Sequence, residues 1–229
     1  MKRLLTVLAI VVMGGYVSNA LASDVYITQS GASLNANINQ DGQTNKVGND
    51  TTDFTLTGDN QTLDIDQIGN TNTLSGSLVG DTQNLVVNQT GSSNTATVTV
   101  GSNSSADDND IRLTHTGDSN TTTVNVGTTA ASGDADIDLT VTGSSNTVTI
   151  NENSTATMLN TDKKVTNITL TGSSNTVTST HAGAGDHDTT LAHTGSSGTF
   201  AITQDGAHDS TVDLTTSGAG HSVTITMDD

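Results

Sequence analysis

Histidines and aspartates are the side chains with the clearest potential for chemistry in this chain. Imidazole is a common metal ligand and proton carrier. His181, His187 and Asp188 share an inserted loop and could bind a metal weakly, but no cysteine accompanies them and their spacing is not that of a structural zinc site. The sequence therefore predicts no specific metal site and no cofactor. The six histidines are His115, His181, His187, His193, His208 and His221.

Two acidic runs offer the oxygen ligands that hard cations prefer. They read DDND at Asp107 to Asp110 and DADID at Asp134 to Asp138. Neither run has the spacing of an EF-hand loop, and the chain lacks the GGxGxD calcium repeat. Because clustered carboxylates also occur as solvated, self-repelling loops, we expect Ca²⁺ binding here to be weak at most.

Catalysis would require a nucleophile beside a base, or paired carboxylates in a cleft. The many serines lie in turns, and no segment breaks the repeats to build one special pocket, so we predict no catalytic residue and no enzymatic activity. Phosphate binding would require clustered Lys and Arg, whereas six basic residues are outnumbered by 24 acidic ones. The composition argues against nucleic acid and anionic membranes as partners.

The first 22 residues have the three parts of a secretory signal peptide. Two basic residues precede an apolar run, Leu4 to Met13, and the small residues Ala20 and Ala22 follow. The run is shorter than the roughly 20 residues that a membrane anchor needs. We therefore predict a signal peptide at residues 1–22, export from the cell, and a repeat domain at residues 23–229. Cleavage would leave four basic and 24 acidic residues, a formal charge of −20.

Composition and pattern point in opposite directions. With 31% hydrophobic and 2% aromatic residues, and without cysteine, proline or tryptophan, the composition is typical of a disordered chain. Strict alternation of apolar and polar residues, however, predicts short half-buried strands rich in Val, Ile and Thr. These strands are VYITQ from Val25, TLDIDQ from Thr62, LVVNQ from Leu85, ATVTV from Ala96, DIDLTVT from Asp136 and FAITQ from Phe200.

Glycine spacing indicates a repeat of about 22 residues, made of two half-units of about 11. One set of turn glycines recurs at separations of 27, 22, 26, 26, 29, 23 and 23 residues, and a second set lies between them. Extra residues fall in the second turn, as insertions. The first set is Gly42, Gly69, Gly91, Gly117, Gly143, Gly172, Gly195 and Gly218; the second is Gly31, Gly58, Gly80 and Gly206.

Parity predicts which side chains face inward, because successive side chains of a strand point to opposite sides. A single repeat cannot bury its inward face, whereas stacked repeats that pair in parallel with their copies can. We predict an all-β, parallel β-solenoid of about eight two-strand coils, with an ordinary β-sandwich as the alternative. In one repeat the predicted inward residues are Ile137, Leu139, Val141, Asn146, Val148 and Ile150.

Several turns carry the phrase QxGxxN or a reduced form of it. By parity its Gln and Asn point inward, where an amide is costly unless its hydrogen bonds are satisfied. Identical amides one coil apart can satisfy one another as a ladder. The motif residues are Gln29, Gly31, Gln40, Gly42, Asn45, Gln67, Gly69, Asn72, Gln89, Gly91, Asn94, Gly117, Asn120, Gly143, Asn146, Gly172, Asn175, Gln204 and Gly206.

In the later coils the Gln position changes. It holds His115, Val141, Leu170 and His193. Because buried polar groups normally have hydrogen-bond partners, we expect His115 and His193 to be satisfied core side chains and not metal ligands.

The phrase IxQxGxxN, its recurrence about every 22 residues, the predicted signal peptide and the lack of Cys and Pro resemble the curlin family, the secreted subunits of curli fibres. By period the resemblance covers about Val25 to Met227. It implies a curlin-like, cross-β subunit, major or minor, that leaves through an outer-membrane secretion pore and joins a nucleator or other curlin subunits at the bacterial surface. Such functional amyloid fibres, comparable to a fimbrium or pilus, serve cell adhesion and biofilm formation.

The ends and outer faces of the repeats support different functions. The stretch HSVTITMDD reads as a strand without a cap, and an open edge that matches the other end of the same molecule favours a filament. Outward pairs such as Thr97 and Thr99, or Thr147 and Thr149, would instead form a flat array in an ice-binding solenoid. A monomeric, repeat-built surface adhesin is a third reading and requires capped ends.

Overall fold

The computed structural model describes residues 23–31, 33–42, 44–48, 54–69, 71–80, 82–91, 93–101, 109–117, 119–127, 135–153, 163–182, 186–206 and 209–228. The predicted signal peptide, residues 1–22, lies outside these ranges, as do Asp107, Asp134 and His208. The described residues form strands, turns and bends but no helix, and thus no helix that could cross a membrane. The all-β prediction is confirmed.

The strands are short, as expected for half-buried segments bounded by turn residues. They are β1 (Ser23–Val25), β2 (Thr28–Ser30), β3 (Asn35–Asp41), β4 (Asn45–Val47), β5 (Phe54–Thr57), β6 (Gln61–Ile68), β7 (Leu74–Val79), β8 (Gln83–Thr90), β9 (Thr95–Val100), β10 (Asn109–Thr116), β11 (Thr121–Val126), β12 (Ala135–Ser144), β13 (Thr147–Asn153), β14 (Lys163–Ser173), β15 (Thr176–Ala182), β16 (Asp186–Ser196), β17 (Thr199–Asp205), β18 (Ser210–Ala219) and β19 (Ser222–Asp228).

The described strands pair in parallel within two sheets. The first sheet has 11 strands in the order β1-β4-β7-β9-β11-β13-β15-β17-β19, with β2 and β5 beside this path. The second sheet has 8 strands in the order β18-β16-β14-β12-β10-β8-β6-β3. From β6 onwards, consecutive strands alternate between the sheets. The parallel β-solenoid is confirmed and the sandwich alternative is wrong, because each strand pairs with its copy one coil away.

The number of coils is less regular than the repeat suggests. Strands β1, β2 and β4 have 3 residues each, and the first sheet branches where β2 and β5 pair beside the main path. The expected count of about eight coils therefore stays a prediction. From β6 to β19 the coils follow one another without a branch.

Strand register repeats the spacing of the turn glycines. Gln67 lies opposite Gln40, 27 residues away, and opposite Gln89, 22 residues away. Longer separations, such as the 29 residues between Asn146 and Asn175, leave the register intact. The extra residues fall between a first-sheet strand and the next second-sheet strand, where the insertions were predicted.

Gly69 and Gly91 show why the first turn requires glycine. Their φ angles are 144° and 150°, a region that disfavours other residues, and a Cβ on Gly91 would collide with the carbonyl oxygen of Gly69. Equivalent contacts link the whole first set into one column, and Gly31, Gly58 and Gly80 form part of a second. Glycine thus lets the backbones of successive turns approach closely.

The core lies between the two sheets and is built from alternate residues of every central strand. The six inward residues predicted from parity are all buried, from Ile137 to Ile150. One aliphatic column crosses the second sheet from β3 to β18 without interruption. Full burial of each such side chain is worth about 1.5–3 kcal/mol. The column consists of Ile38, Ile65, Val87, Leu113, Leu139, Ile168, Leu191 and Leu214.

Candidate functional site

A glutamine ladder occupies the end of the second-sheet strands β3, β6 and β8. Gln67 Nε2 donates to Gln40 Oε1 at 2.7 Å, and Gln89 Nε2 donates to Gln67 Oε1 at 2.7 Å. The other amide hydrogens of Gln67 and Gln89 go to main-chain carbonyls across the turn, those of Thr73 and Thr95. All three glutamines are buried, as parity predicted. The ladder fixes the stacking register, because a slipped coil would leave its amides unpaired.

An asparagine ladder follows the turn into the first sheet and is longer. Each side-chain Nδ2 donates to the Oδ1 of the asparagine one coil earlier, at 2.5 to 2.9 Å. Every member is at most 1% exposed. The ladder therefore continues through coils that have no glutamine. Its members are Asn45, Asn72, Asn94, Asn120, Asn146 and Asn175.

His115 replaces the next glutamine, and its surroundings meet the expectation of a satisfied core imidazole only in part. Its Nε2 lies 3.3 Å from Thr122 Oγ1, while Nδ1 has no partner among the described residues. Gln89 Oε1, which a fourth glutamine would use, is likewise without a donor in the described part of the chain. Burial lowers the pKa of His115 to about 4. The residue is therefore neutral in the folded chain at neutral pH.

His193 ends the asparagine ladder. Its Nε2 lies 2.7 Å from Asn175 Oδ1, so the imidazole takes the place of a seventh asparagine. The ring also contacts Phe200 and His221, with centroids 4.9 and 5.1 Å away. Burial, and secondarily the charge of His221, lowers the pKa of His193. The column ends here because Gly198 stands where the next Asn would be.

Gln29 and Gln204 share the motif spacing but not the ladder. Both are buried in first-sheet strands, where Gln29 lies opposite Leu56 and Gln204 lies opposite His181. Gln204 Nε2 donates to the main-chain oxygen of His187 at 3.2 Å. The reduced forms of the motif therefore mark the second turn, with Gly31 and Gly206, and carry no amide-to-amide bonding.

The histidines predicted to share an inserted loop are in strands instead. His181 lies in β15 and His187 in β16, and both are fully buried, whereas Asp188 is exposed on the opposite face of β16. The prediction of a loop is wrong because the strands extend to 182 and begin again at 186. Their side chains meet a buried carboxyl group, that of Glu152. The sequence reading missed Glu152 because it fell within an apparent insertion.

The acidic runs are also partly misplaced by the sequence reading. Asp110, Asp136 and Asp138 lie on strands β10 and β12, not in loops. Arg112 contacts both ends of this group, at 2.8 Å from Asp110 Oδ2 and 3.6 Å from Asp138 Oδ2. Burial first, and the charges of Asp138 and Asp110 second, raise the pKa of Asp136. Arg112 thus pairs with Asp110 on its own strand and with Asp138 on the neighbouring strand, and weak Ca²⁺ binding by the acidic runs stays a prediction.

The C-terminal end of the solenoid exposes apolar side chains from an inward-facing register. Val223, Ile225 and Met227 of β19 are 44%, 43% and 49% exposed, and they lie opposite Phe200, Ile202 and Gln204 of β17. They continue core columns, and the described chain has no further coil to cover them. The aliphatic column of the second sheet is also only half-buried at its two opposite ends, Leu214 in β18 and Ile38 in β3. Within the described ranges, the core is therefore partly exposed at both ends.

Threonine columns cover the outer face of the first sheet. The register aligns them over four consecutive strands from β9 to β15, with two threonines on each strand. Thr99 does not extend this array, because Asn125 and Asn151 follow it. The aligned residues are Thr95 and Thr97, Thr121 and Thr123, Thr147 and Thr149, and Thr176 and Thr178.

Comparison of the chain with protein-family models, with curated proteins and with solved structures finds no match.

Proposed function

We propose that the chain is a secreted structural subunit of a curli-like functional amyloid fibre of the extracellular matrix. The supporting observation is the aliphatic column that spans the second sheet and ends half-buried at Ile38 and Leu214. A second copy stacked on the first would continue this column and both neighbouring core edges. Because the two ends differ, the contact is heterologous and repeats without closing, which generates a filament.

The exposed strand β19 supplies the apolar contact surface at the C-terminal end of the solenoid. Its backbone edge and its apolar row, Val223, Ile225 and Met227, can be covered by the first-sheet strands of another copy. The aspartates nearby, Asp213 and Asp228, and the strongly acidic composition oppose stacking. Salt therefore accelerates assembly by screening this repulsion.

The biological setting of the proposal comes from the curlin resemblance. A curlin-like subunit of about eight cross-β coils, exported by the signal peptide and an outer-membrane pore, joins a nucleator or related subunits. The fibres then act in cell adhesion and biofilm formation. A monomeric adhesin would use the same fold but would need its ends covered, for example by residues outside the described ranges.

The assembly test uses the chain from residue 23 at moderate salt. We expect Congo-red-binding filaments with a 4.8 Å reflection along the fibre axis, because parallel strands stack at about that spacing. Ile225→Lys places a charge in the apolar row of β19 and should stop elongation. The matched control is Thr224→Lys, an exposed neighbour on the opposite face of the same strand, which should elongate nearly as the unaltered chain does. Protein that stays monomeric for days, or an equal effect of the two substitutions, contradicts the proposal.

Ice binding is a second candidate, favoured by the aligned threonine columns. Flat arrays of this kind present hydroxyl and methyl groups at one repeat distance along the solenoid. The test is thermal hysteresis of the monomer, with Thr121→Lys and Thr147→Lys in the array. Loss of hysteresis in these variants would support the candidate, whereas absence of hysteresis in the unaltered monomer would contradict it.

A further inference from the structure

A buried polar cluster lies in the core at the end of strand β13 and the start of β16. It consists of Glu152, His181 and His187, which are 0%, 0% and 1% exposed. His181 Nδ1 donates to Glu152 Oε2 at 2.7 Å, and the rings of His181 and His187 have centroids 5.4 Å apart. None of these three residues belongs to the amide ladders or to the apolar row of β19 that the fibre proposal requires.

Burial makes the cluster costly for the fold. The same register position holds Val100 and Val126 in the two coils before Glu152. Valine would fill this position without desolvating a carboxyl group, which costs several kcal/mol even when paired. Two imidazoles and a carboxyl group in one dry site therefore call for a role that valine cannot perform.

The donor atoms lie close enough together to converge on one metal ion after a small movement. One ligand atom from each of the three residues lies within 4.8 Å of the others. Ligands at about 2.1 Å from a tetrahedral zinc ion are separated by about 3.4 Å. Side-chain rotations that move each ligand atom by roughly an ångström would thus bring all three atoms within bonding distance of one zinc ion. Two nitrogens and one oxygen suit zinc and similar transition metals, not calcium.

Two of the three ligands, Glu152 and His181, also have partners that would hold them in place. Thr166 Oγ1 donates to Glu152 Oε1 at 2.9 Å, which leaves Oε2 for the ion. Ser179 Oγ and Thr189 Oγ1 lie 2.8 and 3.0 Å from His181 Nε2. These hydroxyls can donate to a bare Nε2 or accept from a protonated one. Metal ligands in proteins typically have such supporting hydrogen bonds.

We propose that Glu152, His181 and His187 form a binding site for a divalent transition metal of the zinc class. Binding replaces the hydrogen bond between His181 Nδ1 and Glu152 Oε2 by a metal bond to each atom. The hydrogen of His181 moves from Nδ1 to Nε2, where the hydroxyl oxygens of Ser179 and Thr189 accept it, so the neutral ring loses no proton overall. The ion ties strands β13, β15 and β16 together at one edge of the solenoid.

The test measures Zn²⁺ binding to the untagged chain from residue 23, freshly prepared as monomer. Calorimetry should give one tight ion per chain, and Co²⁺ should show the visible absorption of a tetrahedral site. Glu152→Gln keeps the size of the side chain and an oxygen that can accept from Thr166 Oγ1, and His187→Gln removes one nitrogen ligand. Each should weaken Zn²⁺ binding by about 100-fold or more, since even supporting residues of metal sites are worth 10–100-fold.

The matched control is His115→Gln, which removes an equally buried histidine that lies beside the first turn, one coil before Glu152, and should leave Zn²⁺ affinity unchanged. Histidine NMR of the unaltered chain gives a measurement that needs no variant: Zn²⁺ should shift the ring signals of His181 and His187 but not those of His115. No tight binding, or binding that Glu152→Gln and His187→Gln leave intact, overturns the site. The readout is independent of fibre formation, so either proposal can fail alone.

Discussion

The N-terminal and C-terminal halves of the solenoid share one register but stabilise it differently. In strands β3 to β8 both amide ladders run side by side, with glutamines in the second sheet and asparagines at the turn. From β10 onwards only the asparagine ladder continues, as far as Asn175. The glutamine position holds histidine or an aliphatic residue in β10 to β16 and threonine in β18.

The difference shows that the turn keeps the coils in register where the glutamine ladder is absent. A glutamine ladder needs an identical amide on each side, so one substitution ends its benefit for both neighbours. The turn position also carries the close glycine contact, which admits no larger residue. Asparagine and glycine therefore persist together, while the glutamine position is free to change once the ladder is broken.

The largest effect should come from placing a charge in the N-terminal ladder. Gln67→Glu replaces a donor by an anionic oxygen that faces Gln40 Oε1 and the carbonyl of Thr73. An unpaired buried charge costs about 3–5 kcal/mol. Urea unfolding should show this loss for Gln67→Glu and similarly for Gln89→Glu, with slower fibre formation.

The matched control for the glutamine variants is on the outer face. Thr147→Ser and Thr149→Ser alter outward positions of β13 and should change both stability and fibre formation little. Equal effects of the two sets would show that the glutamines are not the inward, register-setting residues.

Replacing an asparagine of the ladder should destabilise the fold in either half, by somewhat less than a charge in the glutamine ladder does. Asn120→Leu removes hydrogen bonds of 2.6 Å to both Asn94 and Asn146, and leaves one acceptor and one donor without partners. The expected loss is about 2–4 kcal/mol, which takes about 1–2 kcal/mol for each of the two groups left without a partner, the lower part of the usual range. The control is Asn125→Ala, which removes an outward, partly buried acceptor of Asn151 and should cost about 1 kcal/mol or less.

The smallest effect at neutral pH should follow from restoring a glutamine to the C-terminal half. His115→Gln offers a donor to Gln89 Oε1 and should stabilise the fold by about 1 kcal/mol.

The stability difference between His115→Gln and the unaltered chain should grow as the pH falls. The pKa of His115 falls from 6.5 in the unfolded chain to about 4 in the folded one, so the unfolded chain binds the extra proton as pH drops through this window. The folded chain thereby loses about 3 kcal/mol between pH 6.5 and 4.

Urea unfolding at several pH values checks this prediction. The unaltered chain should lose stability between pH 6.5 and 4 more steeply than His115→Gln. Identical pH profiles would mean that His115 is not the buried neutral group described above.

Several features of the fold follow from the sequence because they are periodic. Alternation identified the inward residues of β12 and β13, and glycine spacing anticipated the register of every second-sheet pair. A stacked parallel fold makes such prediction possible, since equivalent residues must meet one coil apart. The positions of Gln67, Asn72, Gln89 and Asn94 were predicted for the same reason.

Features that break the period required the tertiary structure. Gln29 and Gln204 match the motif locally, yet they belong to the other sheet, which spacing within one turn cannot reveal. The division of the first sheet near β2 and β5 is a second example, because the short strands β4 and β5 pair with successive parts of one strand, β7, and the glycine spacing does not indicate this.

The sequence by itself determined the repeat, the inward parity and the amide ladders, since each depends on spacing along the chain. Only the tertiary structure decided that Glu152, His181 and His187 meet. They are separated by 29 and 6 residues and come from three strands of two sheets. Glu152 and His181 are register partners one coil apart, but His187 approaches them across the core from the other sheet, and a contact of that kind has no period that spacing could reveal.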